Sequence, residues 1–198
     1  MVETRDVVAS RVPGLPVFAN AALRRPEGLA TVRELYGPGE HHAVWTDAGN
    51  DSLAAQVQAA GYVRDTSTTA MVLSLTGWRG DRPAGVDAGV DPQVITALNG
   101  VPDDLLDGVP GLACYATGDR QSGLALQVCG EDVVVSFVAT RPSARRRGLA
   151  RAVLAAALAD CRARGLARAL LQATDEAAGL YAAAGFVPVF RWQEWVPG

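Results

Sequence analysis

The apolar positions of this chain change period several times, and each change predicts an element. Leu112–Thr117, Leu124–Cys129 and Val133–Ala139 are short runs of apolar residues, the last of them β-branched. Gly118-Asp-Arg-Gln-Ser-Gly123 and Gly130-Glu-Asp132 separate them, so an antiparallel meander of three strands is expected. After Gly148 the period lengthens. Ala150, Val153, Leu154, Ala157, Leu158 and Cys161 recur at helical spacing. Arg162 and Arg164 suit the negative end of that helix, and Gly165 ends it. Ala169–Ala173 returns as a strand, parallel to 133–139 through a right-handed crossover. Asp175 and Glu176 open the next helix, and Phe190–Trp195 is the last strand.

The N-terminal half has a weaker pattern. A helix is expected within 17–35, with Ala22, Leu29, Val32 and Leu35 apolar and Arg24-Arg25-Pro26 as a break. Gly37-Pro38-Gly39 is a turn, and His42–Thr46 is a short strand. Asp51 or Ser52 can cap a helix over 52–60, which Gly61 stops. Thr69–Leu75 reads as a strand. Residues 76–90 carry many glycines and mixed charge, as a linker does. Asp91-Pro92 opens a short helix through Leu98, and 100–111 is loop-like. Ala-Ala-Gly61-Tyr62 before a strand echoes Ala-Ala-Gly185-Phe186 before another.

Composition narrows the class. The chain has 198 residues, 49% hydrophobic and 20% charged, which suits a soluble globule of one domain or slightly more. A net charge of −3 argues against a broad nucleic-acid footprint. All basic residues are arginine, so lysine is excluded as base or nucleophile. Cys114, Cys129 and Cys161 form no Cys-x-x-Cys pair, and the only histidines are the adjacent His41 and His42, so no metal site is expected. No apolar run reaches the ~18 residues of a membrane span. The opening Met-Val-Glu-Thr-Arg-Asp-Val-Val lacks the regions of a signal peptide, and a cytoplasmic location is expected.

The chemistry centres on 132–150. A strand ends at Thr140, an arginine-rich loop follows, and a helix starts at about Gly148. The first amides of a helix lack intrahelical partners and carry partial positive charge, so this order of elements suits a pyrophosphate. Gly148 lets backbone approach it. Arg145-x-x-Gly148-x-Ala150 resembles the Gln/Arg-x-x-Gly-x-Gly/Ala signature of the GCN5-related N-acetyltransferase (GNAT) superfamily. Residues 174–186 resemble its Asn-x-x-Ala-x-x-Leu-Tyr-x-x-x-Gly-Phe segment at Ala177, Leu180, Tyr181, Gly185 and Phe186, with Thr174 in place of Asn. The resemblance implies an α/β (α+β) fold with a mixed, mostly antiparallel central sheet flanked by helices. It also suggests a smaller, degenerate half-domain of the same family at 1–78, a linker at 79–90 and a catalytic domain at 91–198.

The activity implied is acetyl transfer from acetyl-CoA to a primary amine of a small molecule by direct attack, with no metal. The resemblance assigns the cofactor to Val138, Ala139, Thr140, Arg145, Arg146, Arg147, Gly148, Leu149, Ala150, Arg151, Thr174 and Tyr181. The pantetheine arm is expected where strands 133–139 and 169–173 splay, with a backbone N–H near Val138–Ala139 as oxyanion donor. Tyr181 stands where the family places the acid that protonates the leaving thiolate; core filling is the alternative for it. Glu131, Asp132, Glu194, Tyr115, Cys114, His41 and His42 are open as bases, and Cys114 without a histidine partner does not suggest a covalent acyl intermediate. Two other readings stay open: a non-catalytic acyl-CoA-binding or sensor module, and an acetyltransferase for proteins or peptides, weakly suggested by Asp103, Asp104 and Asp107. Neither nucleic acid nor membrane is an expected partner, and a homodimer through a strand edge is compatible with the sequence.

Overall fold

The computed structural model describes residues 1–11 and 19–198. The chain folds as two compact units, Met1–Ala70 with Phe190–Gly198, and Met71–Val189.

In the first unit the chain order is β1 (Val2–Glu3), β2 (Val7–Ser10), β3 (Asn20–Leu23), α1 (Gly28–Leu35), β4 (Ala43–Asp47), α2 (Asp51–Ala59) and β5 (Tyr62–Ser74), which runs on into the second unit. Its strands lie in the order β1-β2-β3-β4-β11-β5, where β11 is Val187–Pro197. Val7, Ala21, Val32, Val44 and Val57 are fully buried at its centre.

Several expectations change here. The helix expected within 17–35 begins only at Gly28, and Asn20–Leu23 is a strand between β2 and β4; positions 17 and 18 lie outside the described residues. Arg24-Arg25-Pro26 separates the two elements, because a proline disfavours helical backbone in the residue before it. Helix α2 is capped by Asn50, whose side chain accepts from the Leu53 amide, rather than by Asp51 or Ser52. Strands β1 and β2 left no clear periodic signal, being too short to show one.

The second unit continues with β6 (Val86–Ala88), α3 (Pro92–Asn99), β7 (Leu112–Thr117), β8 (Ser122–Cys129), β9 (Asp132–Thr140), α4 (Leu149–Ala163), β10 (Arg168–Ala173) and α5 (Asp175–Ala183). Its strand order is β5-β10-β9-β8-β7-β6. The meander β7–β8–β9 is antiparallel and β10 is parallel to β9, giving the mixed, mostly antiparallel sheet that was expected. Part of the expected linker is structured. Val86–Ala88 pairs with β7, and Val86 is buried.

Alternation in the strands sorts the side chains. Leu124, Leu126, Val133, Val135, Ala169 and Leu171 pack with Val153, Leu154, Ala157, Leu158 and Cys161 of α4. Cys114, Ala125 and Phe137 pack with Ile95 of α3 in a separate cluster. The α4 stripe is wider than its sequence spacing shows, since Ala156 and Ala159 are buried too. Burying such a stripe contributes ~25 cal/mol per Å² of apolar surface.

Candidate cofactor-binding site

Strands β9 and β10 pair only over Asp132↔Arg168, Val133↔Ala169 and Val134↔Leu170. Beyond Val134 that edge of β9 has no registered strand partner, although β9 continues to Thr140 and β10 to Ala173. Val138, Ala139 and Thr140 occupy this unpaired stretch and are half-buried. A pantetheine arm, with its alternating amides, suits such an edge as an added strand does.

One feature of β9 is invisible in the sequence. Its pairing with β8 jumps from Gly123↔Ala139 to Ala125↔Ser136, so Phe137 and Val138 together face Leu124. Phe137 has φ +52, a β-bulge with a non-glycine residue in left-handed backbone. The extra residue reverses the alternation for 138–140 relative to 132–136. The Ser122 hydroxyl fixes the strand end, meeting the Ala139 carbonyl at 3.0 Å and the Thr140 hydroxyl at 2.8 Å.

After Thr140 the chain makes a short 3-10 turn at Pro142–Ala144 and reaches α4 through Arg145–Gly148. Arg145 donates from Nε to the Thr140 carbonyl at 3.4 Å. Arg146 has φ +63 and Gly148 φ +78. Gly148 takes the N-cap position and has no side chain to cap with. A Cβ placed on it would meet nothing within 4 Å, so glycine serves here for its left-handed backbone and leaves the approach clear. The amides from Arg146 to Arg151 donate to no protein acceptor among the described residues. Unspent amides at a helix N-terminus, with the exposed side chains of Arg146, Arg147 and Arg151 around them, form a cradle for an anion. The residues present therefore fit a diphosphate.

Helix α5 starts after β10. Thr174 holds its N-cap position, is exposed, and makes no side-chain cap bond. Tyr181, on the same helix, is 6% exposed and meets Phe186 edge-on with centroids 6.0 Å apart. Burial pushes its phenol above the ordinary range, so it remains a protonated donor. Among the described residues its hydroxyl has no partner, yet it is not sealed from solvent, which leaves it available to a ligand. The helix end is tied by Trp78, which donates from Nε1 to the Ala184 carbonyl at 3.2 Å.

Asp132, Cys114, Tyr115 and His42 have other occupations. Asp132 is clamped by Arg168 through two bonds of 2.8 Å, at the end of β9 opposite Thr140. Cys114 and Tyr115 are both buried on opposite faces of β7; burial pushes the thiol up to about 11 and the phenol up to about 12. Neither ionises near neutral pH. In the first unit His42 is buried and stacked on Tyr36 with centroids 4.5 Å apart. Its Nδ1 lies 2.8 Å from the Glu40 carbonyl, which can only accept, so Nδ1 carries a proton, and its Nε2 lies 2.9 Å from the Tyr62 hydroxyl. Glu194 is raised by burial and by Asp65, again within the first unit. Among the described residues no cluster of His, Cys, Asp and Glu could hold a metal, and no helix is long and apolar enough to cross a membrane.

Residues 102–186 match the family model described as Acetyltransferase (GNAT) family. No curated protein matches the chain. Among solved structures, a GCN5-related N-acetyltransferase from Kribbella flavida is similar with TM-score 0.68 and 18% identity, over 91% of this chain and 82% of that one. A GCN5-related N-acetyltransferase from Sphaerobacter thermophilus gives TM-score 0.66 and 17% identity, over 96% and 75%. A tandem GNAT protein from the clavulanic acid biosynthesis pathway gives TM-score 0.59 and 15% identity, over 92% and 75%. The chain thus has the fold of the GCN5-related N-acetyltransferase superfamily, with 102–186 as the segment that matches its acetyltransferase family.

Proposed function

We propose that this protein is an acetyltransferase that moves the acetyl group of acetyl-CoA to a primary amine of a small molecule. The observation that supports this best is the run of unspent amides from Arg146 to Arg151 around the open left-handed Gly148, directly after a strand with an unpaired edge. The loop amides and arginines would hold the diphosphate, and Val138–Thr140 would pair with the pantetheine amides. Diphosphate and pantetheine together would fix where the thioester lies along β9.

The neutral amine attacks the thioester carbon, forming C–N and breaking C–S. A backbone amide near Val138–Ala139 stabilises the oxyanion, and Tyr181 gives its proton to the departing sulfur. The amine's surplus proton leaves through water to solvent, and the Tyr181 oxygen regains a proton from solvent. The first unit, whose helix–Gly61–Tyr62–strand corner repeats that at Gly185–Phe186, serves in this reading as a degenerate half-domain without cofactor.

One observation favours a second reading, a non-catalytic acyl-CoA sensor: Thr174 replaces the usual Asn and bonds to nothing at its cap. The test is release of CoA from acetyl-CoA across a panel of primary amines, read by mass spectrometry. The acetylated amine is expected. Tight CoA binding with no product on any amine would establish the sensor instead.

A further inference from the structure

Resting on the acetyltransferase reading, we propose that Asn99, outside the segment matched to the family, is a positioning residue that holds the β9 bulge in its working form. Asn99 is the last residue of α3, before Gly100 in left-handed backbone at φ +66. Its Nδ2 donates to the Ile95 carbonyl at 2.8 Å and to the Phe137 carbonyl at 3.0 Å. Both neighbours are carbonyl oxygens, so only the amide nitrogen can face them, and both of its protons are used. The bulge leaves a main-chain group without a regular ladder partner, and the cost of an unpaired carbonyl falls on β9 unless something donates to it. Asn99 is that donor.

The bond joins a strained point to a fixed one. Phe137 at φ +52 is disfavoured for a residue with a Cβ. Two contacts outweigh the strain: the ring packs against the Ile95, Leu106, Cys114 and Ala125 cluster, and the carbonyl is held by Asn99. Without the tether, β9 can relax toward regular pairing with β8. Removing the extra residue's kink would turn the Val138–Thr140 main chain back to the opposite alternation, away from the edge left by β10. Asn99 thus acts on a reacting thioester through Val138 and touches no substrate itself.

Asn99→Asp keeps the shape and replaces the donor nitrogen with a carboxylate oxygen facing two carbonyls. Its kcat with acetyl-CoA and an accepted amine should fall by roughly tenfold to a hundredfold. The Kd for CoA, set mainly by the diphosphate loop, should stay within about threefold. The deficit should narrow as pH is lowered from 8 toward 5, because a protonated carboxyl regains a donor and two facing carbonyls raise its pKa. A merely structural lesion would not improve on acidification. Asn99→Ala supplies a readout free of activity: amide hydrogen exchange at 136–140 should accelerate while α4 exchange is unchanged. Unchanged exchange there, full kcat in Asn99→Asp, a pH-independent deficit, or equal losses in kcat and CoA affinity would overturn the role. A parent chain that binds no CoA would instead defeat the acetyltransferase reading, and the exchange experiment would still judge the tether.

Discussion

The two helix-to-strand corners of this chain have the same spacing and different fates. Asn50 to Tyr62 spans α2 and the start of β5; Thr174 to Phe186 spans α5 and the entry to β11. Each helix ends in a left-handed glycine, Gly61 at φ +97 and Gly185 at φ +100, followed by a buried aromatic. In the first corner the cap closes on itself, Asn50 accepting from Leu53, and the position matching Tyr181 is the fully buried Val57. In the second corner Thr174 leaves the helix end uncapped and Tyr181 keeps a free hydroxyl. One geometry can therefore be sealed by its own side chains or left with unsatisfied groups. The side chains at two positions decide between them.

The largest effect expected is at the cofactor loop. Gly148→Asp forces a side chain into left-handed backbone and sets negative charge among the amides, so CoA affinity should drop by at least about a hundredfold. Titration calorimetry would measure it, and Gly61→Asp in the first corner should leave CoA affinity unchanged. Next comes Tyr181→Phe, for which kcat should fall on the order of a hundredfold with little change in melting temperature. Its counterpart Val57→Ala should do the reverse, costing about 2 kcal/mol in urea unfolding without altering kcat. A Val57→Ala variant that lost activity would break the comparison.

How much of this could be read beforehand depends on the range of the interactions. The form of the loop at 145–150 and of the segment at 174–186 was legible because it resides in local order: strand, glycine, helix start. The meander was legible from its turns. Asn20–Leu23 was not, since a four-residue strand takes its identity from β2 and β4 rather than from its own apolar pattern. Val86–Ala88 sat in glycine-rich sequence and became a strand by pairing with β7. The bulge at Phe137 lay within an unbroken Val-Ser-Phe-Val run, with no glycine to announce it. Asn99 lies one residue past the helix expected through Leu98, and nothing local marks its role. Its second partner, Phe137, is distant in sequence.

Smaller effects sharpen the same contrast. Asn50→Ala should cost about 1 kcal/mol by loss of its cap. Thr174→Ala, which loses no such bond, should stay within about 0.5 kcal/mol. An effect of another kind is alkaline. Burial holds the Cys114 and Cys161 thiols near about 11 against an ordinary 9.0. Above pH 9 the unfolded chain releases protons that the native chain retains, so this contribution falls as pH rises toward about 11. Urea midpoints measured from pH 8 to 11 should therefore decline, and a flat profile would contradict the burial of these thiols.

Calorimetric titration of the purified chain with CoA, in parallel with Gly148→Asp, is the most direct measurement. Saturable one-to-one binding by the parent, lost in the variant, is the predicted result. No binding by the parent, or equal binding by both, would contradict the assignment of the loop amides to a diphosphate.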